Sequence, residues 1–165
     1  MTVTNVSKDL ETLTLTITCE FAAGVERVWQ VWADPRQLER WWGPPTYPAT
    51  VTDHDLVPGG RVSYYMTGPE GDTPGGWWRI IAVEEPHRLE FKDGFTDDGG
   101  EPNEDMPTTV TEVTLETIAG GATRMTMVST FPSLEAMEQL LAMGAEEGMR
   151  LAVGQVDGLI EAGPA

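Results

Sequence analysis

The side chains of this 165-residue chain that could carry out chemistry are few. His54 lies between Asp53 and Asp55, and a carboxylate beside an imidazole is one way to build a general base. Neighbouring side chains on a strand point to opposite faces, however, so this triplet does not form a catalytic pair by itself. We interpret His54 as a surface histidine among acids. His87 follows Pro86 and is interpreted as a structural residue of a turn.

The sequence predicts no metal or cofactor site. Its two histidines and one cysteine, Cys19, provide neither a zinc ligand set nor an internal disulfide. It contains no phosphate-binding loop, dinucleotide fingerprint or nucleophile elbow. We therefore predict no catalytic residue, and a protein without catalytic activity is favoured. The polar side chains expected to reach an interior cavity, where they could orient a molecule or move a proton, are Tyr64, Arg79, Ser129 and Glu138.

The charge balance limits the partners that this chain can have. Asp and Glu total 27 against 10 Lys and Arg, a formal net charge of −17. Such a surface repels phosphate backbones and anionic lipid headgroups, which argues against nucleic-acid and membrane partners. The N-terminus lacks an apolar signal core and no apolar run is long enough to span a bilayer, so we predict a cytoplasmic protein. A homodimer is a common arrangement for small domains.

Residues 133–161 are predicted to form one long, one-sided helix. Ser133 can cap its first turn, and Pro132 prevents the helix from extending upstream. At about 1.5 Å per residue, this helix would be roughly 40 Å long. Apolar or small residues recur at helical spacing on one face: Leu134, Met137, Leu141, Ala145, Gly148, Met149, Ala152, Val156 and Leu159.

The middle of that helix face is unusual because its residues are small. Ala145, Gly148 and Ala152 stand where a tightly packed helix would carry Leu or Ile. Glycine in a helix interior costs about 1 kcal/mol relative to alanine. Two explanations remain open: a sheet backbone that approaches the helix closely, or an internal cavity that serves a ligand.

The rest of the chain is predicted to form short strands and two short helices. Residues 10–21 alternate between apolar side chains and threonines, as in a strand with one buried face. Helical spacing follows from Val25 to Trp32, and Pro35 opens a second short helix through Glu39. Six further strands lie between Gly- and Pro-rich turns: residues 49–56, 60–67, 76–84, 87–95, 108–118 and 122–131. We predict a single α+β domain, residues 1–165, whose antiparallel sheet of about seven strands wraps around the C-terminal helix.

Strand alternation and helix spacing select the side chains that would face an interior ligand site. The predicted ligand-binding residues are Trp32, Trp41, Tyr64, Met66, Trp78, Arg79, Phe91, Phe95, Met106, Met127, Ser129, Met137, Leu141, Gly148 and Met149. The alternative for all of them is an ordinary core. Strand alternation does not decide which of Trp77 and Trp78 faces inward, because both phases of residues 76–84 contain apolar side chains. The acidic loop 96–107 is long for a compact domain, and Phe95 and Met106 at its ends could fold over a cavity mouth.

The order of elements and several rare motifs resemble one known superfamily. The motifs are Phe21-Ala22-Ala23 with Val28-Trp29, Asp34-Pro35, Trp41-Trp42-Gly43-Pro44, Asp55-Leu56 with Pro58-Gly59-Gly60, Asp93-Gly94-Phe95, Phe131-Pro132-Ser133, and Gly144 to Gly148. They resemble the START-like superfamily, also called SRPBCC or Bet v-like, in its branch named for the activator of the heat-shock-protein ATPase. The resemblance covers roughly residues 12–161. Two positions depart from it, because the family commonly has Trp at position 149 and often an acidic residue at position 80.

The resemblance implies a helix-grip fold, in which a curved antiparallel sheet grips a C-terminal helix, and it allows three functions. The first is binding of a small apolar molecule, aromatic, polyketide-like or lipid-like, between sheet and helix. The second is a polyketide cyclase, aromatase or hydrolase-like enzyme in which Tyr64 and Arg79 polarise a carbonyl. The third is a stress-linked co-chaperone-like module with a chaperone partner. The sequence favours the first.

Overall fold

Antiparallel pairing builds the sheet that organises this molecule. The computed structural model describes residues 3–97 and 99–162. Within them, eight strands form one sheet in the order β1-β2-β8-β7-β6-β5-β4-β3. The strands are β1 Val3–Asp9, β2 Thr14–Phe21, β3 Ala49–His54, β4 Arg61–Met66, β5 Gly75–Glu84, β6 Arg88–Phe95, β7 Thr109–Thr117 and β8 Thr123–Thr130.

The structure adds one strand to the seven that the sequence predicts. Strand β1 carries no apolar alternation, which is why the pattern does not reveal it; it lies at the sheet edge and pairs with β2. The predicted first strand, 10–21, is shorter than expected because Leu13 adopts φ 59° in the turn between β1 and β2. The remaining strands lie within two residues of their predicted bounds.

Two short helices follow β2, as predicted. Helix α1, Val25–Ala33, buries Val28, Trp29, Val31 and Trp32 against the sheet. Helix α2, Pro35–Leu38, begins where the Asp34 side chain accepts a hydrogen bond from the Arg36 backbone N–H at 2.9 Å. Proline suits the first helical position because its missing N–H would have no partner there.

The C-terminal segment differs from the single continuous helix that we predicted. In the described part of the chain it forms three consecutive helices, α3 Leu134–Ala142, α4 Ala145–Val153 and α5 Val156–Ala162. The Ser133 cap is present, because its hydroxyl accepts from the Ala136 N–H at 3.1 Å. The first break is at Gly144, whose φ of 91° is incompatible with a right-handed helix. At the second break, the Gln155 side chain donates to the Gly43 carbonyl at 2.7 Å.

The sheet and the helices enclose two apolar cores. The larger core contains a group of packed rings that we call the aromatic core: Trp32, Trp41, Trp42, Trp78 and Phe91. Trp78 faces inward and stacks on Phe91 with ring centroids 4.0 Å apart, whereas Trp77 faces outward and donates to the Phe95 carbonyl. The smaller core contains Leu15, Phe131, Met137 and Leu140. The helix-grip architecture is thereby confirmed.

None of the helices in the described ranges is both long and apolar enough to cross a membrane.

Candidate ligand cavity

A cavity of about 320 Å³ lies between the two apolar cores. Its wall includes Leu15, Phe131 and Leu140 from the smaller core. Ile17, Trp42 and Met127 contribute from the larger core. The cavity therefore occupies the space between sheet and helix that neither core fills.

Two small residues of α4 form part of the helical wall of this cavity. Ala145, Gly148 and Met149 line it, and a Cβ built on Gly148 would meet no atom of the described residues within 4 Å. No sheet backbone approaches Gly148, so the close-approach explanation does not hold there. Ala152, one turn further on, is 1% exposed within the larger core and serves packing instead. The structure therefore shows open space at Gly148, and the use of that space by a ligand stays a prediction.

A row of polar side chains crosses the sheet side of the cavity, and we call it the polar strip: Tyr64, Asp93, Thr109, Thr111 and Ser129. Asp93 is opposite Thr109 in the β6–β7 register, and the Thr109 hydroxyl donates to its carboxyl at 2.7 Å. Thr111 and Ser129 are opposite each other in β7 and β8, with their hydroxyl oxygens 2.9 Å apart. A single polar row on an otherwise apolar wall can orient one end of a bound molecule.

Tyr64 reaches the strip because a glycine faces it on the next strand. It is opposite Gly76 in the β4–β5 register, and a Cβ on Gly76 would collide with the Tyr64 hydroxyl. The Trp42 indole lies beside Tyr64, with ring centroids 6.0 Å apart. Among the described residues, the Trp42 Nε1–H finds no acceptor in hydrogen-bonding geometry.

Burial changes the acidity of both titratable groups in the strip. It raises the pKa of Asp93 to about 6, although hydrogen bonds from Thr109 and Thr111 act in the opposite direction. Burial also raises the pKa of Tyr64, and the nearby Asp93 charge adds to this effect, while contact with Trp42 opposes it. The Asp93 carboxyl thus changes its charge near neutral pH, whereas Tyr64 stays protonated.

Seven of the predicted ligand-binding residues lie together on the cavity wall: Tyr64, Met66, Phe95, Met127, Ser129, Gly148 and Met149. They come from β4, β6, β8 and α4, which the fold brings around one space. Their contact with a ligand stays a prediction.

The other predicted residues lie elsewhere. Trp32, Trp41, Trp78, Phe91 and Met137 are fully buried core residues. Leu141 is half-buried beside the smaller core. Aromatic and Met side chains match the pattern of a ligand site and that of a core equally well, so the sequence could not separate them.

Arg79 and Met106 require a correction, because both line a groove on the outer face of the sheet instead of the cavity. Arg79 follows the inward-facing Trp78, so strand alternation directs it outward, and it is exposed. In loop 96–107 it is Pro107 that reaches the cavity. Glu138, which was also expected to reach the interior, is exposed.

The histidines and the cysteine lie outside the cavity and contact the protein's own backbone or core. His54 Nε2 lies 3.0 Å from the Trp32 carbonyl oxygen, and His87 Nδ1 lies 3.1 Å from that of Leu115. Cys19 is fully buried, which together with the nearby Asp157 charge raises the pKa of its thiol to about 12. No cluster of three or more His, Cys, Asp or Glu suited to a metal occurs in residues 3–97 and 99–162.

Sequence reasoning missed Asp93, Thr109 and Thr111 as cavity residues. A usable signal existed for Asp93, because it shares strand alternation with Phe91, which was predicted to face the interior. It was overlooked because a charged residue on a strand is ordinarily taken to face solvent.

Comparison with known proteins identifies close structural relatives. The sequence profile described as "Activator of Hsp90 ATPase homolog 1-like protein" matches residues 22–161. A crystal structure from Mycobacterium smegmatis is 55% identical, with 95% of this chain and 96% of that chain covered and a TM-score of 0.87. A solution structure from Arthrobacter aurescens is 50% identical over 99% and 94% of the two chains, with a TM-score of 0.93.

A more distant relative shares the fold alone. The AHSA1 protein of Silicibacter pomeroyi is 21% identical over 90% of this chain and 98% of its own, with a TM-score of 0.72. No functionally curated protein matches this chain.

Proposed function

We propose that this chain, which belongs to the family of Activator of Hsp90 ATPase homolog 1-like proteins, binds a small apolar molecule between the sheet and helices α3 and α4. The molecule is aromatic, polyketide-like or lipid-like, since most of the residues that line the wall have apolar side chains, with Leu, Ile, Met and Phe prominent among them. The observation that carries this proposal is the unfilled space opposite Gly148.

The size of the cavity supports this function. Ligand pockets in proteins measure about 300 to 1,000 Å³, and this cavity of about 320 Å³ lies at the lower end of that range. Methionines such as Met66, Met127 and Met149 adapt to irregular ligand shapes because their side chains are flexible and polarisable. A compact molecule of one to a few rings is therefore the expected occupant.

The enzyme hypothesis loses its main residue pair. It required Tyr64 and Arg79 to act on one carbonyl group, but Tyr64 lines the cavity and Arg79 lies on the outer face of the sheet. We therefore do not carry that mechanism forward. The co-chaperone alternative predicts complex formation with a chaperone, and it gains weight only if the cavity binds nothing.

The test begins with native mass spectrometry of the purified protein and continues with a thermal-shift screen of apolar aromatic compounds. A ligand at 100 times its Kd stabilises the folded state by about 2.7 kcal/mol. For a chain of this size, that corresponds to a rise in Tm of about 5 to 10 °C.

A matched pair of variants assigns the binding to this cavity. Gly148→Leu places a side chain in the open space, and we expect it to abolish the thermal shift. Gly158→Leu makes the same change at an exposed position of α5 and should leave the shift intact. An empty protein with no shift across a broad library, or a Gly148→Leu variant that responds like the wild type, would overturn the proposal.

A further inference from the structure

Asp93 is the acidic residue of a mainly apolar cavity wall, and a neighbouring side chain fixes the position of its carboxyl group. The Thr109 hydroxyl donates to one carboxyl oxygen at 2.7 Å, and Asp93 faces the same side of β6 as the buried Phe91. Resting on the proposed function, we infer that the ligand of this cavity carries a protonated amine on its apolar body, and that this amine binds Asp93.

The first support is that the described residues of the cavity wall provide no counter-ion for the Asp93 carboxyl. Among the described residues that line the cavity there is no Lys, Arg or His, and Tyr64 is the one other titratable side chain there. Lys92 precedes Asp93 but lines the outer groove. The residues opposite Asp93 on the neighbouring strands, Trp78 and Thr109, are uncharged. A charge on a half-buried group in an apolar cavity is costly unless it is paired, so a cationic ligand would offset a cost that the protein leaves in place.

The charged residues of the helix that covers the cavity are engaged elsewhere. Glu146 of α4 pairs with Lys8 at 2.9 Å and with Arg150 at 3.5 Å. Arg150 also approaches Glu147, at 4.0 Å. These groups therefore pair with one another and with β1, and the charge facing a bound molecule is that of Asp93.

The arrangement of the cavity matches an amphipathic amine. An ammonium group at Asp93 could also donate to the hydroxyl oxygens of Thr111 and Ser129, which share the polar strip. The apolar body would then lie against Met127, Gly148 and Met149. The net charge of −17 attracts cations from solution toward the protein.

The test compares two probes of nearly equal shape, 1-naphthylmethylamine and 1-naphthylmethanol, by isothermal titration calorimetry at pH 7.5. Hydrogen bonds to charged groups are strong enough that we expect the amine to bind at least about tenfold more tightly than the alcohol. Asp93→Asn keeps the shape of the side chain and an acceptor for Thr109. It should remove the preference for the amine and leave the affinity for the alcohol within about twofold.

Two controls separate the role of Asp93 from general charge effects and from misfolding. Asp53→Asn removes one negative charge from an exposed position and should leave the preference for the amine unchanged. Alcohol binding by Asp93→Asn shows that the variant is folded. Lowering the pH from 7.5 to 5 should weaken amine binding to the wild type, because Asp93 becomes protonated.

The outcomes distinguish the inference from the function on which it rests. If the alcohol binds the wild type as tightly as the amine, or if Asp93→Asn retains the preference, the inference is wrong and the proposed function stands. If neither probe binds the wild type and the thermal-shift screen is also empty, both are wrong.

Discussion

The aromatic core and the cavity lie on the same concave sheet face, but side chains fill the first and leave open space in the second. In the aromatic core, Trp78 stacks on Phe91, and Trp42 meets Trp78 edge-on with centroids 4.8 Å apart. In the cavity, inward-facing Tyr64 and Met127 meet empty space. The strands supply alternating inward residues in both regions, so the sheet alone does not cause the difference.

The difference comes from what the helices place opposite the sheet. Over the larger core, α4 and α5 contribute Val153, Val156 and Leu159, whose side chains fill the space. Over the cavity, α4 contributes the small residues Ala145 and Gly148 beside the longer Met149. Unfilled space loses dispersion contacts, and a helical glycine loses further stability. The fold thus retains a less stable arrangement in the cavity, which is consistent with the ligand-binding function that we propose.

The largest expected effect concerns the aromatic core. Trp78→Ala should lower the free energy of unfolding by about 3 to 5 kcal/mol, because the substitution removes a fully buried ring and leaves a void. Guanidinium unfolding monitored by circular dichroism measures this loss. Trp77→Ala is the matched control, since this ring lies half-buried on the outer face and should cost clearly less. Equal losses of stability in the two variants would show that the interior around Trp78 is no more tightly packed than the outer face of the sheet.

The pH dependence of Asp93 sharpens the comparison, because the cavity contains a titrating group and the aromatic core does not. Its pKa is raised from 3.8 to about 6, so the folded protein holds this proton more tightly than the unfolded chain. The stabilisation from the protonated carboxyl is fully present below about pH 4 and is lost as the pH rises through about 6.

Asp93→Asn removes that dependence. Its free energy of unfolding should therefore rise relative to the wild type by up to about 3 kcal/mol between pH 4 and pH 7.5. Urea unfolding of both proteins across this range gives the difference, in which the titration of the other carboxylates cancels. If the free energies of unfolding of the two proteins change with pH in the same way, Asp93 is not desolvated in the folded state.

The break before α4 is expected to have a smaller effect. Gly144 has a φ of 91°, a left-handed conformation that costs other residues about 1 to 2 kcal/mol. Gly144→Ala should lower the free energy of unfolding by that amount. Chemical denaturation tests this, and an unchanged midpoint would mean that the break does not depend on glycine.

The smallest expected effect has the opposite sign. Gly148→Ala should raise the free energy of unfolding by up to about 1 kcal/mol, because alanine favours the helix and its methyl group enters open space. Gly158→Ala in α5 is the control for helix propensity alone. A destabilised Gly148→Ala variant, measured beside Gly144→Ala and Gly158→Ala, would indicate that the space opposite Gly148 is not open.

Much of the fold could be predicted because its signals are local. Alternation in residues 14–21 identifies β2 and its buried face, and helical spacing identifies α1. The N-terminal strand lacked such a signal, since its place at the sheet edge depends on pairing with β2 alone. The break at Gly144 was not apparent, because glycine inside a helical pattern does not reveal which φ it will adopt.

The site was less predictable than the fold. Tyr64, Met127 and Gly148 line the cavity, as strand alternation and residue size predicted, but Phe91 matched the alternation equally well and belongs to the core. Arg79 was misplaced because parity was unresolved between Trp77 and Trp78. Asp93 was missed because a charged residue on a strand is ordinarily taken to face solvent, although strand alternation places it with Phe91.

The sequence by itself determined the helix-grip architecture, the inward phase of β2, β4, β6 and β8, and the weakness of the helix at its small residues. The strand phase and the weakness of the helix follow from the periods of strand and helix and from the properties of glycine, whereas the helix-grip architecture was implied by the resemblance to the START-like superfamily. The tertiary structure alone decided that the interior is filled around Trp78 and open at Gly148. A void is defined by the residues that surround it, and Leu15, Met66, Asp93, Met127 and Gly148 become neighbours only when β2, β4, β6, β8 and α4 pack together.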